Sequence, residues 1–147
     1  MTIRKDEKYK NVFSPEQRKW IDALKSGKYR KTTGTLMTLT QKDKPKGYCC
    51  LGVYCMLSGQ KWRSKENWTD NRKAYFGKLQ DTELNIAQTR KLKLYGQLGD
   101  FKKPRTVKRK MIDHLAELND STKMSLAEIG KWIEAHPYVV FKNFEEV

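Results

Sequence analysis

Apolar positions along the chain fall into short stripes of helical spacing separated by polar punctuation. The first stripe opens at Ser14-Pro15-Glu16-Gln17, where a capping serine precedes a proline at the first helical position and a glutamine stands at capping-box spacing. Trp20, Ala23 and Leu24 mark one face, Ile21 widens it, and Ser26-Gly27 supplies the stop, which predicts a short amphipathic helix. Residues 28–40 are rich in threonine and in β-branched or aromatic types and predict an extended or hairpin segment, with a turn over 41–47. Residues 48–57 are apolar on nearly every side and end at Ser58-Gly59. They predict the central buried helix, although periodicity alone leaves a strand open.

Beyond that segment the pattern loosens. Residues 60–76 mix Trp62, Trp68, Tyr75 and Phe76 with Arg63, Lys65, Arg72 and Lys73 and read as a long loop or hairpin. Asp81 or Thr82 is placed to cap a helix running to about Lys93, with turns at Tyr95-Gly96 and Leu98-Gly99. Residues 102–110 lead into a helix on which Val107, Met111, Ile112, Leu115 and Leu118 follow helical spacing up to Asn119-Asp120. A second capping box, Ser125-Leu-Ala-Glu128, starts a helix with Leu126, Ile129, Trp132 and Ile133 inward and a stop before Pro137. Residues 138–141 predict a terminal strand. Together these elements predict an α+β fold, a mainly helical single domain with a small β-hairpin or sheet element and a loose arm over 1–12. Its core is residues 48–57 packed by Trp20, Leu24, Leu115, Ile129 and Trp132.

Composition and motifs sharpen this picture at four points. Only 37% of the 147 residues are hydrophobic, yet four Trp, seven Tyr and five Phe supply enough large apolar surface for a core. No run approaches the roughly 20 apolar residues that span a bilayer, and the charged start does not suit a signal peptide, so the expectation is a cytoplasmic protein without membrane contact. The three cysteines, Cys49, Cys50 and Cys55, sit within seven residues with no Cys-x-x-Cys spacing and point to reduced thiols, not to zinc or disulfides. No P-loop, Gly-x-Gly-x-x-Gly or paired acidic motif occurs, so neither cofactor nor metal is expected and dedicated nucleotide hydrolysis has no support.

Charge changes the picture most. Residues 1–110 carry 28 Lys/Arg against 10 Asp/Glu, whereas residues 111–147 carry 3 against 7. A field of this sign concentrates phosphate-bearing partners, and lysine-rich surfaces bind nucleic acid through counterion release. The densest run is Lys102, Lys103, Arg105, Lys108, Arg109 and Lys110, expected on a helix from Arg105 onward; Lys28, Arg30 and Lys31 form a second cationic stretch. Trp62 and Trp68, interleaved with Arg63, have the composition of a stacking platform for bases. A lysine surface that only solubilises is the plain alternative. The acidic C-terminal part leaves association of copies through opposite charges open. Cys49 and Cys50 at a helix start offer half of a cysteine nucleophile, for which only His114 or His136 could serve as base; buried structural cysteines are the simpler reading.

Several blocks carry a resemblance: Trp20-x-x-Ala23-Leu24-x-Ser26-Gly27-x-Tyr29, Gly34-x-Leu36, Cys49-Cys50-Leu51-Gly52-Val53, Leu115-x-x-Leu118-Asn119-Asp120 and Ser125-x-x-Glu128-Ile129. In this order the chain resembles a family of small phage and prophage proteins of uncharacterised function. The resemblance implies a viral accessory protein of host takeover or counter-defence, working in the host cytoplasm, and no activity. The Tyr-Cys-Cys-Leu-Gly-Val block is also distantly similar to the cysteine blocks of papain-like peptidoglycan hydrolases. The leading expectation is a non-enzymatic protein that binds nucleic acid through its basic surface. Alternatives are sequestration of a small or cyclic nucleotide of host immunity, inhibition of a host protein, and cysteine hydrolysis.

Overall fold

A computed structural model of the chain describes residues 10–39, 44–59, 62–64, 72–76 and 82–145. Helix α1 (Pro15–Lys25) begins as expected: the Gln17 N–H donates to Ser14 Oγ at 3.2 Å, and the Ser14 N–H donates back to Gln17 Oε1 at 2.9 Å. It buries Trp20, Ile21 and Leu24. Strands β1 (Met37–Leu39) and β2 (Pro45–Tyr48) then pair antiparallel, so part of the turn expected over 41–47 is strand. Strands β3 (Trp62–Ser64) and β4 (Arg72–Phe76) form the hairpin allowed for 60–76, and β4 also pairs with β1, giving a four-stranded order β2-β1-β4-β3.

The central segment is helix α2 (Cys50–Leu57), with Cys50, Leu51, Val53, Tyr54 and Cys55 all buried. Around it pack Trp20, Leu24, Leu115 and Ile129, as the apolar stripes require, whereas Trp132 is only half-buried. The Trp20 indole N–H donates to the Cys50 carbonyl at 2.9 Å, so the largest core side chain is satisfied as well as buried. Helix α3 (Ile86–Lys91) is shorter than expected because the cap is Asn85, whose side chain accepts from the Gln88 N–H while Gln88 reaches back.

The largest departure lies over residues 100–114. In place of a helix the chain forms a hairpin of β5 (Asp100–Val107) and β6 (Lys110–His114), and helix α4 (Leu115–Ser121) starts only afterwards. Pro104 suits a helix start as well as a strand bulge and does not decide between them; the ladder pairing Arg105, Thr106 and Val107 with Ile112, Met111 and Lys110 does. Val107 and Ile112 satisfy the core as strand residues, while Met111, on the supposed helical stripe, is 65% exposed. Helix α5 (Leu126–Ala135) carries the second capping box as expected. Residues 138–141 are not a strand: Pro137 fixes the start of a single helical turn, α6 (Pro137–Val140), and only Phe141 bridges to Leu94. The fold is therefore α+β, helices around a small sheet and one hairpin. No described helix is long and apolar enough to cross a membrane.

Candidate functional site

The β5–β6 hairpin collects the densest basic run on one two-stranded ribbon. Val107 pairs with Lys110, Thr106 with Met111 and Arg105 with Ile112, but the next pair is Asp100 with His114. Residues 101–104 thus stand opposite Asp113 alone, a bulge into which Pro104 fits because no ladder donor is required there. The bulge leaves Lys102 and Lys103 both exposed, although strict alternation would turn one of them inward.

Lys108 and Arg109 make the two-residue turn, with φ of 51° and 67°. Positive φ at both central positions is the requirement that Asn-Gly ordinarily meets in hairpins. For side-chain-bearing residues the left-handed region costs about 1–2 kcal/mol each, so the tip stores strain to present two cations. No ion pair within the described residues reaches Lys102, Lys103 or Arg109.

Behind the ribbon stands an aromatic column that sequence reading missed. Phe101 stacks on Trp132 at 5.2 Å between centroids, Trp132 stacks on His136 at 4.5 Å, and Tyr138 follows. The Arg105 guanidinium donates to the Tyr138 hydroxyl at 2.7 Å and lies 5.3 Å from its ring centroid, which fixes the arginine's direction. Lys102, Lys103 and Arg105 line a small concavity of about 90 Å³ with Tyr138 and Val139. On another side of the hairpin, Lys108, Lys110 and Lys123 line one of about 390 Å³ that also contains Glu128. Hydrogen bonds from Ser125 hold the Glu128 carboxyl below its usual range, with Lys108 adding to the effect.

The remaining candidates divide. Lys28 and Arg30 are exposed after α1, but Lys31 is not available to a phosphate. Its ammonium donates to the carbonyls of Asn119, Thr122 and Met124 at 2.9, 3.0 and 2.7 Å, closing the C-terminal end of α4, and burial lowers its pKa. Lys110 donates to the Ser121 carbonyl at the same helix end, so both cationic stretches meet there. Trp68 and the side chains of Trp62 and Arg63 lie outside the described residues.

The nucleophile reading fails on burial. Cys49 caps α2 and its thiol accepts from the Gly52 N–H at 3.3 Å, yet burial outweighs the helix start and pushes its pKa up to about 12. Burial also raises Cys50 and Cys55. His114, expected on a helix, instead ends β6 and accepts the Glu117 N–H at Nδ1 (3.0 Å), while His136 stacks on Trp132. Cys49 is expected to react with a native-state labelling reagent at pH 8 about three orders of magnitude more slowly than a peptide thiol, since a pKa near 12 leaves about 10⁻⁴ as thiolate, and Cys50 and Cys55, also raised by burial, are expected to label slowly as well. Labelling of any one at the peptide rate would contradict the buried assignment.

Asp113, His114 and Glu117 each bring one ligand-type atom within 4.8 Å of the others, an arrangement the cap of α4 already accounts for. The acidic C-terminal part is partly used within the chain: Glu134 accepts from Lys25 at 2.9 Å and Arg18 at 2.6 Å, both on α1, and these bonds lower its pKa.

A family model described as Domain of unknown function (DUF8296) matches residues 15–137, from the first residue of α1 to the first of α6, with the hairpin included. No curated protein and no solved structure matches the chain.

Proposed function

Since the chain belongs to the family Domain of unknown function (DUF8296), whose description names no activity, we propose its function from the site itself: non-enzymatic binding of nucleic acid by the β5–β6 hairpin. The observation that carries this reading is the gathering of six cations, with two carboxylates, Asp100 and Asp113, on one ribbon whose strained tip presents Lys108 and Arg109. A two-stranded ribbon is narrow enough for a duplex groove, and exposed lysines on it meet phosphates whatever the sequence. Residues 100–114 contain no Asn or Gln to read adenine, Arg105 is already engaged by Tyr138, and we assign Arg109, the remaining guanidinium of the ribbon, to phosphate together with the lysines. Binding is therefore sequence-tolerant. The resemblance to phage proteins supports a setting, an accessory role in the cytoplasm of an infected host.

The test separates strain from charge. Lys108→Asn combined with Arg109→Gly gives the turn the residues it favours and removes two cations. The expected result is a protein more stable by about 1–2 kcal/mol. Its affinity for duplex oligonucleotides should drop by about 30-fold at 0.15 M salt, taking each phosphate contact as one unit of counterion release. A variant that gains stability and binds nucleic acid unchanged shows the tip to be only a turn.

A further inference from the structure

A third concavity lies at the other end of β5. It is a cleft of about 780 Å³ between α3, residues 93–100 and the segment after α6, a volume within the range of small-molecule sites. One wall is cationic by construction. The Lys142 N–H donates to the Lys93 carbonyl at 2.8 Å, beside the Leu94–Phe141 bridge, which holds Lys93 and Lys142 next to each other. Lys93 takes a left-handed turn (φ 58°) as α3 ends, and Arg90 on the last turn of α3 adds a third cation. None of the three has an ion pair among the described residues.

Among the described residues Asp100 is the only carboxylate lining the cleft besides Glu145, which pairs with Lys10, and its side chain has neither a hydrogen bond nor an ion pair there. Its carboxylate lies against Gly96, where a Cβ would come within 1.8 Å of Oδ2, so the absence of a side chain at Gly96 makes that position possible. Ile86, 60% exposed, and half-buried Tyr95 supply the apolar surface.

We propose that this cleft binds a nucleoside monophosphate: its phosphate on Arg90, Lys93 and Lys142, its ribose hydroxyls donating to Asp100, and its base against Ile86 and Tyr95. A bare phosphate would gain nothing from Asp100 and would be repelled by it, whereas a neutral nucleoside would leave three cations unused. The joint presence of cations, one free acceptor and an apolar face selects a ligand with all three parts. This site uses no residue of the hairpin tip and does not depend on the hairpin's role.

The experiment is calorimetric titration of the full chain with each of the four ribonucleoside monophosphates, and with adenosine and inorganic phosphate as partial probes. At least one nucleotide should bind saturably at one per chain, and at least about tenfold more tightly than either part. Arg90→Ala/Lys93→Ala/Lys142→Ala should weaken it by at least about tenfold, through loss of charge-assisted contacts. Gly96→Ala, which keeps every charge but displaces the Asp100 carboxylate, should weaken the nucleotide while inorganic phosphate binds at least as tightly as before, since the repelling carboxylate has moved. The hairpin variant Lys108→Asn/Arg109→Gly should bind as the parent does. The proposal is overturned if none of the four binds saturably at millimolar concentration, if phosphate alone binds as well, or if the hairpin variant loses binding as the cleft variant does.

Discussion

Gly52→Ala is expected to destabilise the protein by about 3 kcal/mol or more, against the usual direction for a helix, where alanine is favoured over glycine by about 1 kcal/mol. The reason is a backbone approach. A Cβ on Gly52 would come within 1.8 Å of the Leu36 carbonyl oxygen and 2.7 Å of its carbon. That carbonyl cannot turn away cheaply, because it accepts the Cys49 N–H at 3.0 Å, and the Leu36 side chain is fully buried. To admit the methyl group, α2 must move off the segment entering β1, and it would carry Cys50, Leu51 and Val53 out of the core. Urea unfolding of parent and variant checks this. A Gly52→Ala protein as stable as the parent would mean that α2 and residue 36 are not in contact, and the central packing described above would be wrong.

The same contact explains what the sequence blocks are for. Gly34-x-Leu36, the Cys-Cys-Leu-Gly-Val block and the Leu-Asn-Asp block meet in space. Asn119, fully buried, accepts the Cys50 N–H at 3.0 Å and donates to the Thr32 carbonyl at 2.8 Å, while Asp120 accepts the Gly34 N–H at 3.1 Å. These residues lock one joint of the core. Buried polar groups of this kind must be matched one to one, so the blocks serve packing and not chemistry.

Elements with local signals were legible: α1 and α5 each announce themselves by a capping box, and α2 by an apolar run too dense for a surface. The hairpin was not. Val107, Met111, Leu115 and Leu118 fall at helical intervals by coincidence, across two strands and a short helix, and the turn between the strands lacks the glycine or asparagine that would mark it. Pro104 gave no contrary signal, since a proline is as acceptable just ahead of a helix as at a bulge. The basic run was legible as charge, but its aromatic backing was not, since Trp132, His136 and Tyr138 are some thirty residues away in sequence and meet β5 only through tertiary packing. Lys31 shows the limit of composition most plainly. A lysine on a basic stretch and a lysine that closes a helix read alike until the three carbonyls are seen.

The salt dependence of nucleic-acid binding is the second large effect and tests the central claim. Lys102, Lys103, Lys108 and Arg109 are exposed on the hairpin, and four phosphate contacts on a duplex give a slope of log affinity against log salt near about −3.6. Lys110 is left out because its bond to Ser121 would mix binding with folding. In Lys102→Ala/Lys103→Ala/Arg109→Ala, where no described hydrogen bond or ion pair is removed, the slope should flatten to about −0.9. Affinity at 0.15 M salt should fall by about two orders of magnitude, equally for unrelated sequences. A parent that shows no duplex binding at that salt, or a triple variant that keeps the parent's slope and affinity, would contradict the account.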